Sequence, residues 1–122
     1  MTWYAVSTIL VFRFKEGQQD VWPVWENVYL VSAESPVAAE AKAAAFAKLA
    51  EGDDDGSLTV EGRLATRQFC GIRKVITVKS PTVPGDEPVD GAEVTFSELE
   101  LRSETEIQEL VDGKAVTVKY IE

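Results

Sequence analysis

Two apolar runs open the chain. Residues 3–14 are β-branched or aromatic at both odd and even positions, which is typical of a strand covered on both faces and therefore central in its sheet. A second run at residues 24–33 follows a polar turn and begins beside Pro23, which cannot donate to a strand ladder. The two runs predict an antiparallel hairpin.

The next segment predicts an alanine-rich helix. Ser35 is a favourable N-cap, Pro36 fits the first helical position, and Gly52 ends the pattern after about Glu51. Apolar side chains that recur every four residues form the stripe that we expect to pack on the sheet: Val37, Ala41, Ala45 and Leu49, with Phe46 beside them.

Residues 63–79 alternate between apolar and polar side chains. This pattern predicts a half-buried strand, or two strands separated near Gly71. Cys70 shares its parity with Ile72 and Ile76, so we expect it to behave as a small hydrophobic residue in the core.

The last third of the chain predicts a strand, a helix and a strand. The first strand covers Glu93–Leu101, and a slip in its apolar parity indicates a bulge. Ser103 followed by Glu106 is a capping box, which starts a short helix. The apolar edge of that helix consists of Ile107, Leu110 and Val111. A final strand is expected at Lys114–Ile121.

The predicted order is β-β-α-β-β-α-β, which defines an α+β fold with helices packed on a mainly antiparallel sheet. Residues 1–122 form a single predicted domain because no linker is long enough to divide them. A Pro- and Gly-rich connector is expected at about residues 80–92.

Composition limits the chemistry. The chain has no His and one Cys, which excludes Ser-His-Asp and Cys-His catalysis, His-ligated metals and an internal disulfide. Asp53, Asp54 and Asp55 are adjacent rather than alternate and no Glu follows at the twelfth position, so a solvated turn is a better interpretation than a calcium loop. We expect no catalytic residue, no cofactor and no metal.

The compartment is predicted from the same features. The N-terminus lacks the basic region of a signal peptide, no apolar stretch is long enough to span a bilayer, and one unpaired thiol suits a reducing interior. We therefore expect a cytoplasmic protein. Its formal charge of −9 argues against binding to nucleic acid or to an anionic membrane.

Charge is distributed unevenly. Residues 63–85 carry five basic and no acidic side chains, whereas residues 86–122 carry eleven acidic and three basic ones. The basic side chains are Arg63, Arg67, Arg73, Lys74 and Lys79. They either bind an anion or acidic partner, or pair with acids on neighbouring strands; we favour pairing. The acids available for it are Glu93, Glu98 and Glu100.

All three tryptophans lie within the first 25 residues. A concave surface lined by tryptophan, with a carboxylate as polar anchor, is a plausible ligand or peptide site. The candidate contact residues for a ligand or partner are Trp22, Trp25, Glu26, Arg67 and Arg73.

A structural role is the alternative for this cluster. Trp3 and Trp25 are then core residues at the ends of paired strands, and Glu26 pairs with Arg13 across the hairpin. We favour the core for Trp3 and Trp25 and the surface for Trp22, which precedes a proline at a loop edge.

Several short motifs carry a resemblance. They are Trp3-Tyr4-Ala5-Val6-Ser7, Trp25-Glu26-Asn27-Val28-Tyr29-Leu30-Val31, Ala33-x-Ser35 and Phe69-Cys70-Gly71-Ile72. Together they resemble a family of small bacterial domains of unknown function, over about residues 3–78. The resemblance implies a compact bacterial α+β domain and carries over no catalytic residue.

These features favour a non-enzymatic, acidic protein-interaction domain, of the inhibitor or immunity type, that binds a basic nuclease or toxin. The alternative is a small-molecule binding domain or minor enzyme that uses Trp22, Trp25 and Glu26. A third hypothesis is a homo-oligomer formed through the C-terminal strand, because an edge strand offers unpaired N–H and C=O groups.

Overall fold

Strands contribute more residues to the described structure than helices do. The computed structural model describes residues 1–52, 56–79 and 87–121, so the Asp53–Asp55 turn and residues 80–86 of the predicted connector lie outside the described residues. In chain order the elements are β1 (Thr2–Phe14), β2 (Val24–Ala33), α1 (Pro36–Leu49), β3 (Thr59–Val60), β4 (Arg63–Thr77), β5 (Glu98–Glu100), α2 (Glu104–Val111) and β6 (Lys119–Ile121). The antiparallel α+β class is confirmed. The predicted order was wrong by one strand, because no strand was predicted at Thr59–Val60, which forms β3.

β1 is the centre of the main sheet, as its two-sided apolar pattern predicts. The strand order is β2-β1-β4-β3, and every pairing is antiparallel. Tyr4 and Val6 on one face of β1, and Ala5 and Ser7 on the other, are all buried. The first face packs against α1 and forms the main core.

α1 begins as predicted but packs on a different stripe. The Ser35 hydroxyl accepts a hydrogen bond from the Ala38 N–H at 3.1 Å. The residues buried against the sheet are Ala39, Ala43 and Ala47. The predicted stripe was therefore wrong, and its ends point outward: Val37 is 75% exposed and Leu49 83%. Both stripes of the helix are apolar, and the smaller side chains allow the closer approach to the sheet.

β4 is one continuous strand with two irregularities. Its register against β1 shifts between Phe69 and Gly71 and again between Ile72 and Lys74, so the pairing with β1 skips Cys70 and Arg73. Each extra residue reverses the parity that follows it. The prediction that Cys70 is a core residue was therefore wrong, and its side chain is exposed.

β5, α2 and β6 form a C-terminal module, residues 98–121. β5 pairs with β6 in a separate two-stranded sheet, and both strands are shorter than predicted. The N-cap of α2 is formed as predicted: the Ser103 hydroxyl accepts from the Glu106 N–H at 3.2 Å. The Glu106 carboxylate accepts from the N–H of Arg102, one residue before the N-cap, at 3.2 Å.

The C-terminal module meets the main sheet on the face opposite α1. Lys74 pairs with Ser7 on that face, and its ammonium donates to the Phe96 carbonyl and, at 3.0 Å, to the Ser97 hydroxyl. The Arg73 guanidinium lies 4.2 Å from the ring centre of Tyr120. The second irregularity of β4 thus places two adjacent basic side chains where they contact the module or the segment that leads to it.

Candidate functional site

The five candidate contact residues do not converge on one site. Trp25 pairs with Leu10 of β1 and shares the α1 face with Arg67. Glu26, the next residue along β2, points to the opposite face and contacts Arg73. Since successive side chains of a strand alternate between faces, Trp25 and Glu26 cannot line one pocket.

Trp25 belongs to a cluster at the C-terminal end of α1. Its ring meets that of Phe12 edge to face with 4.9 Å between ring centres. The Arg67 guanidinium lies 5.2 Å from the Trp25 ring centre, and its Nε donates to the Ala50 carbonyl at 2.7 Å. A cation at a helix C-terminus is favourable, so Arg67 acts as a cap for α1. Trp25 is nevertheless 50% exposed, so the core position expected for it was wrong.

The Glu26 carboxylate forms an ion pair with Arg73 at 3.0 Å. This contact reaches from β2 to β4 across the face of β1. It replaces the expected pairing of Glu26 with Arg13, which was wrong. Arg13 instead lies over the ring of Trp22, at 5.3 Å from the ring centre.

Trp22 lies at the surface, as predicted, and is 51% exposed. One side chain organises the loop that carries it. The Gln19 amide accepts from the Phe14 N–H at 2.9 Å and donates to the carbonyls of Phe12 at 2.7 Å and Val21 at 3.1 Å. Trp22 is thus presented on a loop whose backbone is held by hydrogen bonds.

The basic side chains of β4 form no single face. Arg63 donates to the carbonyls of Glu16 at 2.6 Å and Gln18 at 3.0 Å and lies over the Phe14 ring. Arg67 and Lys74 likewise donate to main-chain carbonyls, as described above. The acids expected to pair with the basic side chains were Glu93, Glu98 and Glu100. That expectation was wrong for Arg63, Arg67 and Lys74, because their hydrogen bonds go to carbonyl and hydroxyl oxygens. Glu100 instead lies 3.8 Å from Lys119.

Three depressions lie on the surface, and Arg73 is the one candidate contact residue that lines any of them. One of about 480 Å³ is lined by Lys15, Glu16, Gly17, Arg63 and Leu64. One of about 340 Å³ follows the edge of β2, where the Lys42 ammonium donates to the Ser32 carbonyl at 2.5 Å. One of about 220 Å³ separates β4 from the C-terminal module. None of the three is lined by Trp22, Trp25 or Glu26.

Among the described residues, no group of three or more acidic or Cys side chains is placed to hold a metal ion. Over the same residues, neither helix has the length and apolar character needed to cross a bilayer.

The C-terminal module exposes the apolar edge of α2. Ile107 is 52% exposed and Val111 74%, and no residue of the helix is buried. Between Glu98 and Asp112 the chain carries six acidic side chains and one basic one. The sequence indicates the apolar edge and the acidic side chains, but not that the edge points outward.

The fold is that of a small α+β domain, in which one helix covers a four-stranded antiparallel sheet and a separate module lies on the opposite face. A family model matches residues 3–97, and its description is "Domain of unknown function (DUF4288)". The chain belongs to this family, which agrees with the resemblance seen in its motifs. Neither the comparison with curated proteins nor that with solved structures gives a match. The C-terminal module begins where the family match ends.

Proposed function

We propose that this protein is a non-enzymatic interaction domain that binds a basic protein through its C-terminal module, as an inhibitor or immunity protein would. The observation that carries the proposal is the outward position of Ile107 and Val111 on an acidic helix. One turn of helix separates these residues, so they form a continuous apolar stripe.

The charge around the stripe favours a basic partner. α2 has acidic residues in its first turn and no basic residue in its last. Glu104 and Asp112 lie at the two ends of the stripe, and Glu109 lies on the opposite side of the helix. Opposite charge on a partner would accelerate encounter and fix orientation. The apolar stripe would supply the buried centre of the interface and the carboxylates its rim.

Composition and the positions of the candidate residues favour a binding role over an enzymatic one. The chain has no His, and the side chains of Trp25 and Glu26 point to opposite faces of the sheet. Arg67 and Arg73 have structural partners in α1, β2 and the C-terminal module. The observations therefore support the interaction hypothesis more than the small-molecule alternative.

A synthetic amphipathic helix of Leu and Lys, labelled with a fluorophore, tests the proposal by anisotropy. We expect the wild-type chain to bind it, the variant I107S/V111S to bind at least about tenfold more weakly, and E104Q/E109Q/D112N to lose affinity and salt dependence. Glu106 is left intact because it caps α2.

Two comparisons separate this site from general charge attraction. The test variant I107S/V111S keeps the net charge of the wild type, so its weaker binding cannot result from a change in net charge. E16Q/E34Q/E61Q removes the same number of carboxylates from exposed positions outside the module. Equal binding by the wild type and I107S/V111S, or an equal loss with E16Q/E34Q/E61Q, would rule the module out as the binding surface.

A further inference from the structure

The outer face of α1 is an exposed apolar surface that the proposed function does not use. We define it as Val37, Ala41, Ala45 and Leu49, all exposed. Val37 and Leu49 are the two most exposed of the large apolar side chains in the described residues, at 75% and 83%. An apolar stripe on a helix is normally buried against another element. The sheet covers α1 only through Ala39, Ala43 and Ala47.

We propose that a second copy of this chain covers the outer face, with the two α1 helices antiparallel across a twofold axis. A twofold axis near residue 43 brings Val37 of one copy opposite Leu49 of the other and Ala41 opposite Ala45. The large side chains at the ends then meet each other, and the small ones at the centre allow the backbones to approach closely. Helices that pack rows three residues apart against rows four residues apart cross at only about 20°, which keeps both ends of the face in contact.

Charge selects a second copy over an unrelated partner. The row beside the outer face contains Glu40, Ala44 and Lys48. Glu40 and Lys48 are eight residues apart, so about 12 Å of helix separates them and they cannot pair within one chain. In the antiparallel dimer, Glu40 of each copy faces Lys48 of the other, which forms two equivalent ion pairs.

The dimer is independent of the proposed function. α1 and the C-terminal module lie on opposite faces of the main sheet, so a dimer through α1 leaves both modules accessible. The two sites can therefore be tested separately, and failure of one leaves the other unaffected.

Sedimentation velocity of the full-length chain over a range of concentrations tests the dimer. We expect a reversible monomer–dimer equilibrium, and only monomer for A41E/A45E, a variant that places carboxylates at the centre of the face. Because both alanines are exposed and Glu favours helix, this variant should keep the wild-type circular dichroism spectrum. I107S/V111S should dimerise like the wild type.

A charge exchange tests the orientation and does not depend on the apolar residues. E40K and K48E each place like charges opposite one another, and each should raise the dimer dissociation constant about tenfold. The double variant E40K/K48E exchanges the charges and should restore wild-type association. The proposal is overturned if the wild type is monomeric up to the highest soluble concentration, if A41E/A45E still dimerises, or if the double variant is no stronger than the single ones.

Discussion

Arg67 and Trp25 connect three elements of the fold. The guanidinium of Arg67 on β4 lies 5.2 Å from the ring centre of Trp25 on β2, while its Nε donates to the Ala50 carbonyl at the end of α1. A residue that looks from the sequence like part of an anion-binding face therefore closes a helix and covers an aromatic ring.

Replacement of Arg67 by Ala should lower the free energy of unfolding by about 1–2 kcal/mol, because the variant loses a charged hydrogen bond to the helix end and a cation–π contact. Urea denaturation followed by tryptophan fluorescence measures the change. R13A is the matched control. Arg13 lies over the ring of Trp22, which is on a surface loop, so the R13A variant should lose less stability. If the two variants unfold at the same urea concentration, the role of Arg67 at α1 is refuted.

Two adjacent buried hydroxyls should respond in opposite directions. The Ser7 Oγ has no hydrogen-bond partner among the described residues, whereas the Thr8 Oγ1 donates to the Asn27 carbonyl at 3.0 Å. S7A should raise the free energy of unfolding by about 1 kcal/mol, and T8V should lower it by a similar amount. Thermal unfolding of both variants tests this, and a loss of stability in S7A would show that the hydroxyl is satisfied.

The attachment of the C-terminal module depends on Lys74. K74M removes the donor to the Phe96 carbonyl and the Ser97 hydroxyl, and we expect amide hydrogen exchange in α2 to accelerate about tenfold while exchange in β1 is unchanged. K119M is the control. The Lys119 ammonium is exposed, and its contact with Glu100 is long, at 3.8 Å, so its loss should matter little. Unchanged exchange in K74M would mean that other contacts hold the module.

Cys70 should react with a thiol reagent while the protein is folded. Its side chain is exposed at the first irregularity of β4, so the labelling rate with Ellman's reagent should lie within about threefold of the rate for the urea-unfolded chain. Strong protection of Cys70 in the folded state would instead support the core position that the strand parity predicts.

Local signals in the sequence predicted the fold well. Ser35 and Ser103 start their helices as expected, because a cap depends on a few neighbouring residues. The two-sided apolar pattern of β1 correctly indicated a central strand.

The largest errors concern faces. The extra residues Cys70 and Arg73 reverse the parity of β4, and the strand pattern predicted for residues 63–79 includes no bulge. In α1, the stripe that contains Ala41 and the stripe that contains Ala43 are both apolar, so the choice between them as the buried side depends on the sheet. The candidate residues lie on two faces of the sheet because Trp25 and Glu26 are neighbours on one strand, whose successive side chains alternate between faces.

The junction between Ser97 and Glu98 has a practical consequence. The family fold occupies residues 3–97, and the surface proposed to bind a partner lies on the residues that follow. An engineer could therefore replace the outward side chains of α2 and redirect binding while the sheet, α1 and the main core keep every contact they now make.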